Sequence, residues 1–115
     1  MLWVPDVEES IKFYVEKLGF RCSNYVPEAG WGIIRRDHVA IMLAKPNAHS
    51  AFTGAQFTGS LYLNTDDVDA FWQSVKDTVT VEYPIETFEY GMREFAIRDN
   101  NGYMLQFGQN IEKNF

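Results

Sequence analysis

Cysteine is almost absent from this chain. Cys22 stands alone among 115 residues, so no disulfide can form within the chain and a reducing, cytoplasmic setting is expected. Its place in a strand with no histidine nearby predicts a buried structural thiol rather than a nucleophile. Histidine is scarce too. His38 and His49 are the only two, and neither has metal-ligand spacing or a nucleophile motif beside it, so both read as turn or loop side chains. Positive charge is in deficit, with 10 Lys and Arg against 16 Asp and Glu and a net charge of −6. That balance repels phosphates and argues against nucleic acid as a partner. It serves solubility, and it would also favour a cationic small molecule. No apolar run approaches the ~20 residues of a membrane span, and the N-terminus lacks a basic segment followed by an apolar one, so neither a membrane partner nor a signal peptide is expected. Glycine-rich phosphate loops and dinucleotide fingerprints are missing as well, and no cofactor is expected.

What the chain does have is apolar and aromatic mass. Apolar residues make up 46%, and Phe, Tyr and Trp together 16%. Such side chains fill a core, and they also line pockets for flat or greasy ligands. The length suits one domain, residues 1–115.

A first helix is marked by Asp6 as N-cap and Glu9 three residues on. Val7, Ile11, Tyr14, Val15 and Leu18 share its apolar face, and Gly19 supplies the stop. Met1 to Val4 before it reads as a short strand. Strands are then predicted over Phe20 to Val26, Trp31 to Arg36 and Val39 to Leu43, the last two forming a hairpin at Asp37-His38. Lys45 to Gly59 is a long polar loop holding His49, Phe52 and Phe57. The pattern then restarts. Ser60 to Asn64 is strand-like, and Asp66-Asp67 precedes a second helix with Val68, Phe71, Trp72 and Val75 on one face. Val79 to Tyr83 is β-branched, and Glu94 to Arg98 and Tyr103 to Phe107 form a hairpin over an Asn-Gly turn. The carboxylate pairs Glu8-Glu9 and Asp66-Asp67 fit capping at helix starts better than acid–base work.

The two halves align. Val4 to Glu8 matches Thr65 to Asp69 at an offset of 61, while Arg36-Asp37 matches Arg98-Asp99 and Met42-Leu43 matches Met104-Leu105 at 62. A repeat of that length suggests duplicated half-domains of about 1–58 and 59–115.

Three segments resemble the glyoxalase/bleomycin-resistance proteins, the vicinal oxygen chelate superfamily. They are Val4-Pro5-Asp6-Val7-Glu8-Glu9-Ser10-Ile11-Lys12-Phe13-Tyr14 with Leu18-Gly19-Phe20, Asp66-Asp67-Val68-Asp69-Ala70, and Tyr90 to Asp99 through Gly102 to Leu105-Gln106-Phe107-Gly108. The resemblance covers nearly the whole chain. It implies an α+β fold of two βαβββ modules, each with a curled mixed sheet and its helix on the convex face, and a homodimer. Relatives usually have a longer first strand, whereas this chain starts five residues before Asp6.

Within that implied fold, strand parity assigns the faces. Leu61 and Leu63 belong under the helix, leaving Ser60, Tyr62 and Asn64 on the concave side; Met104 and Gln106 separate likewise from Tyr103, Leu105 and Phe107. Trp3, Met42, Tyr62, Asn64, Met104 and Gln106 are therefore expected to bind a ligand, although Met42 and Met104 could equally plug a packed interior. Trp31 could stack on a ligand or pack in the core beside Ile33. The resemblance places Tyr90 near the cavity rim. Metal-dependent relatives place ligands on this same face, at positions that fall upstream of Met1 or at its edge, near Ser60, at Gln106, and at Met42 or Ala44. This wall offers Ser, Tyr, Asn, Met and Gln in place of imidazoles and carboxylates, so no metal is expected.

The function expected is a metal-independent small-molecule-binding protein of the bleomycin-resistance type, taking a cationic or aromatic ligand without chemistry. Two alternatives stand beside it. One is a glyoxalase-like lyase or isomerase, or a ring-cleaving dioxygenase, using a divalent metal. The other is an interaction module with a vestigial pocket.

Overall fold

Asp6 opens the first helix as its side chain predicts. Its carboxylate accepts a hydrogen bond from the Glu9 amide at 3.1 Å, satisfying one orphan donor of the first turn. This helix, α1, runs Val7–Leu18 and ends at Gly19, whose φ of 73° turns its amide back to the Tyr14 carbonyl. The structure, a computed structural model, describes residues 1–46, 54 and 59–111. His49, Phe52, Phe57 and most of the predicted long loop lie outside the described residues. The chain divides into two compact units, Met1–Gln56 with Asn100–Gly102, and Phe57–Asp99 with Tyr103–Phe115.

The first unit carries β1 (Leu2–Trp3), α1, β2 (Arg21–Val26), β3 (Trp31–Arg36) and β4 (Val39–Ala44). Its sheet has the order β1-β4-β3-β2, with β1 parallel to β4 and the remaining pairs antiparallel. Val7, Ile11, Tyr14 and Leu18 are buried on α1, and Ile34, Ile41 and Leu43 are buried on the sheet. Tyr14 meets Phe20 edge-on with ring centres 5.5 Å apart. Two expectations fail here. Val15 is 37% exposed, because it sits at one margin of the apolar stripe. Ser10, at the opposite margin, is fully buried instead, and its hydroxyl accepts from Asn101 Nδ2 at 2.9 Å. Cys22 is exposed rather than buried. It is in register with Ile34 but lies on the edge strand β2, where one side of the strand has no neighbour among the described residues to cover the thiol.

The second unit repeats the order with β5 (Leu61–Asn64), α2 (Val68–Val75), β6 (Thr80–Thr87), β7 (Met92–Arg98) and β8 (Met104–Asn110). The sheet order is β5-β8-β7-β6, with β5 parallel to β8. Asp67 caps α2 through the Ala70 amide at 3.1 Å. Phe71 of α2 packs on Phe107 and Phe95 at 4.8 Å and 6.0 Å, and Trp72 on Phe95 at 5.0 Å. The predicted βαβββ order thus appears twice, each unit an α+β module. Strand ends moved. Strand β6 runs on to Thr87 through Pro84, which is tolerated because β6 is an edge strand and its pairing slips between Tyr83 and Glu86. Strand β7 begins at Met92 and β8 continues to Asn110. Among the described residues no helix is long and apolar enough to cross a membrane.

Candidate functional site

Parity divides the second sheet into two chemistries. Leu63 pairs with Phe107, Phe107 with Phe95, and Ile97 with Leu105, which sets these apolar side chains on the α2 side. The alternate set, Tyr62, Asn64, Gln106, Glu94 and Ala96, faces away from α2. On that face Glu94 is only 1% exposed.

Four donors converge on the Glu94 carboxylate. Oε1 accepts from the hydroxyls of Tyr62 at 3.0 Å and Tyr90 at 2.6 Å. Oε2 accepts from the Tyr83 hydroxyl and from Gln106 Nε2, the latter at 3.2 Å. Gln106 Nε2 also donates to Tyr83 Oη at 2.7 Å, and Ser60 Oγ donates to Gln106 Oε1. A carboxylate has roughly four lone-pair sites, so this one is saturated.

Each donor arrives for a local reason. Tyr62 lies on β5 and Glu94 on β7, with β8 between them. Tyr62 crosses β8 at Gly108, where a Cβ would stand 1.9 Å from its hydroxyl oxygen and 2.6 Å from Cζ. Gly108 is also the register partner of Glu94, so the missing side chain opens the path between them. Tyr83 comes from β6 opposite Ala96, whose small side chain leaves room. Tyr90 comes from the β6–β7 turn, closed by Phe88 N–H to the Met92 carbonyl at 2.8 Å and by Gly91 N–H to the Phe88 carbonyl at 3.1 Å. Its ring stacks on Phe88 with centres 5.4 Å apart, and Phe88 meets Tyr83 edge-on at 5.9 Å.

Burial acts to raise the Glu94 pKa, but its hydrogen bonds from Tyr83, Tyr90, Tyr62 and Gln106 outweigh burial and leave it below the usual value. The group is therefore an anion at neutral pH. The phenols move the other way. Burial, then the bond to Glu94, lifts Tyr62 well above the ordinary range. Tyr83 is pushed up to about 12, by burial first and then by Glu94 against an opposing bond from Gln106. Tyr90 is pushed up to about 12, chiefly by its bond to Glu94. All three hydroxyls remain donors, which suits them to hold an anion and not to act as bases. No ion pair to Glu94 occurs among the described residues: Arg93 is paired with Asp69 at 2.9 Å and Arg98 with Glu82 at 2.8 Å. The site is a buried negative charge without a counter-cation among the described residues, ringed by aromatic side chains. Tyr62 is 40% exposed and Tyr90 61%.

The metal sites of metal-dependent relatives do not fit this donor set. Ser60 and Gln106 are bonded to each other, and Glu94 is filled by its four donors. Among the described residues no group of three His, Cys, Asp or Glu could hold a metal ion.

Of the sequence-selected residues, Tyr62, Tyr90 and Gln106 meet at Glu94. Asn64 lies exposed on the same face, paired with Gly108. Met104 is half-buried opposite Arg98. Trp3, Trp31 and Met42 belong to the first unit, where their register places them, with Ile33, on the face away from α1. Trp31 is half-buried there and outside the α1 core, because Gly32 and Ile34 take the buried side of β3. The first unit also has an open cleft of about 300 Å³ beside the start of α1, lined by Pro5, Asp6, Tyr25 and Lys45 among others. The expectation that the wall lacks carboxylates is wrong, since Glu94 is on it. Glu94, Tyr83 and Phe88 escaped sequence selection. For Glu94 a signal existed: Phe95 and Ile97 are apolar, so parity turns Glu94 and Ala96 to the opposite face.

Comparison with known proteins places these features in a family. The model of the Glyoxalase/Bleomycin resistance protein/Dioxygenase superfamily matches residues 1–107. Bleomycin resistance proteins of Geobacillus stearothermophilus and Staphylococcus aureus are each 26% identical over 125 residues, covering 95% of this chain and 92% of theirs. Among solved structures, TioX from Micromonospora sp. ML1 superposes with a TM-score of 0.80 at 17% identity, covering 95% of this chain and 94% of that one. A glyoxalase/bleomycin resistance protein/dioxygenase from Alicyclobacillus acidocaldarius gives 0.77 at 13% identity, covering 96% and 88%. At those identities the two structures share the fold alone.

Proposed function

Because the chain belongs to the glyoxalase/bleomycin resistance protein/dioxygenase superfamily, we propose that it binds a cationic small molecule without a metal, sequestering it as a bleomycin-resistance protein would. One observation carries this: the Glu94 carboxylate is 1% exposed, accepts four hydrogen bonds and lacks a cationic partner among the described residues, under a cover of tyrosines. A buried charge is stabilised by its donors, and its field still reaches a ligand resting on the exposed phenol rings. Those rings attract a cation through their faces. Trp3, Trp31 and Met42 form an apolar surface of their own in the first unit, of the kind that takes a flat aromatic group. A homodimer and a cytoplasmic setting belong to the same proposal. Among the described residues no donor set supports a metal-dependent lyase or dioxygenase.

The test is a titration of metal-stripped protein with a bleomycin-type glycopeptide, followed by tryptophan emission and thermal melting. Saturable emission change and a rise in Tm are expected. Glu94→Gln should weaken binding by about tenfold or more. A flat titration with no thermal shift at high ligand removes drug binding as the role.

A further inference from the structure

We propose that the Glu94 site selects an onium group, a fully alkylated ammonium or a sulfonium, over a primary ammonium. The inference rests on the cation-binding proposal above and names the class of cation. It follows from saturation of the carboxylate. Oε1 already accepts from Tyr62 and Tyr90, and Oε2 from Tyr83 and Gln106. A primary ammonium carries three N–H donors, each of which must find an acceptor when it leaves water. At this carboxylate it finds none unless a phenol or Gln106 lets go. An onium group has no such donors and asks only for negative potential and polarisable surface.

The site supplies both. Three phenols direct their hydroxyls at one anion, and each such bond pushes electron density into the donating ring. The ring of Phe88, stacked on Tyr90 at 5.4 Å with 9° between planes and edge-on to Tyr83, extends the aromatic surface without adding a polar atom. Exposure decides which rings a ligand meets: Tyr90 and Tyr62 are open to solvent, while Glu94 lies beneath. The cation therefore stacks on phenol faces above the carboxylate and does not hydrogen-bond to it.

The experiment compares choline, ethanolamine and the neutral isostere 3,3-dimethylbutan-1-ol, each titrated into the full chain by aromatic-region NMR. Choline should bind about tenfold more tightly than either of the others. Tyr90→Phe keeps the ring but frees one lone pair on Glu94, so ethanolamine should gain affinity and the choline preference should shrink by several-fold. Tyr90→Leu removes the ring and should weaken choline itself. Equal binding of choline and ethanolamine to the unaltered chain overturns the onium proposal, and so does binding of the isostere as tight as choline. If the glycopeptide still binds in either case, the cation-binding proposal survives. If neither choline, ethanolamine nor the glycopeptide binds, both proposals fall.

Discussion

At Glu94, burial and hydrogen bonding pull the carboxyl in opposite directions, and hydrogen bonding prevails. The consequence for stability has a definite sign. The folded-state pKa is depressed, so the stabilisation is fully present above the unfolded-state value of about 4.3 and is lost as pH falls through the folded one. The urea midpoint should therefore drop below about pH 4.5 more steeply in the unaltered chain than in Glu94→Gln. The amide variant should be less stable at pH 7 by about 1–3 kcal/mol, since its N–H groups would face phenol donors. Parallel acid slopes for the two proteins would contradict an ionised Glu94. Gly108 offers a second test. In Gly108→Ala the new Cβ would occupy the place of the Tyr62 hydroxyl, 1.9 Å away. Tyr62 must swing off Glu94, at a cost of about 1–3 kcal/mol. In an alkaline absorbance titration Tyr62 should then ionise earlier, while Tyr83 and Tyr90 still hold out to about 12. An unchanged titration would mean that Tyr62 does not reach the carboxylate across Gly108.

The helices and edge strands show how local chemistry and packing share control of an element. Helix α1 begins where Asp6 can cap it and ends where Gly19 turns left-handed. A Cβ at Gly19 would stand 2.5 Å from Arg36 Nη1, the atom that donates to the Leu18 carbonyl. Gly19→Ala should thus combine backbone strain with loss of that cap and destabilise by more than about 1 kcal/mol. Val15→Ser should cost no more than about 1 kcal/mol, well short of a fully buried valine, because the residue is already 37% exposed. Chemical denaturation of the two variants checks both values, and a large loss in Val15→Ser would place that residue in the core after all. The apolar period names Val15 as part of the stripe and passes over Ser10, a polar residue at the opposite margin. Which margin is covered depends on Asn101, distant in sequence and bonded to Ser10. In the same way Pro84 breaks the strand pattern after Tyr83, yet β6 continues because an edge strand can leave one side unpaired.

At the scale of the whole molecule the chain is one supersecondary unit used twice. Both sheets place the first strand of the unit parallel to its last, with the same strand order. The duplication did not carry one chemistry to both faces. The first sheet presents Trp3, Trp31, Ile33 and Met42 away from its helix, and the second presents Glu94 with its tyrosines. Among the described residues no group of His, Cys, Asp or Glu suits a divalent ion, so the purified protein should carry no stoichiometric metal despite its net charge of −6. Elemental analysis finding about one tightly held ion per chain would defeat that expectation. Light scattering at micromolar concentration should report a dimer, and a monomer would remove that part of the proposal.

The order of elements, the helix starts, the repeat and the two faces of β5 and β8 were legible in the sequence. They depend on interactions between near neighbours and on the fixed periods of helix and strand. Parity even held the clue to Glu94. The meeting of Tyr62, Tyr83, Tyr90 and Gln106 on that carboxylate was decided by tertiary structure. It joins residues from three strands and a turn, across a glycine that lets one side chain pass over another strand. Whether Cys22, Val15 or Ser10 is covered was decided there too, because burial depends on which distant segment packs over a residue and not on the pattern around it.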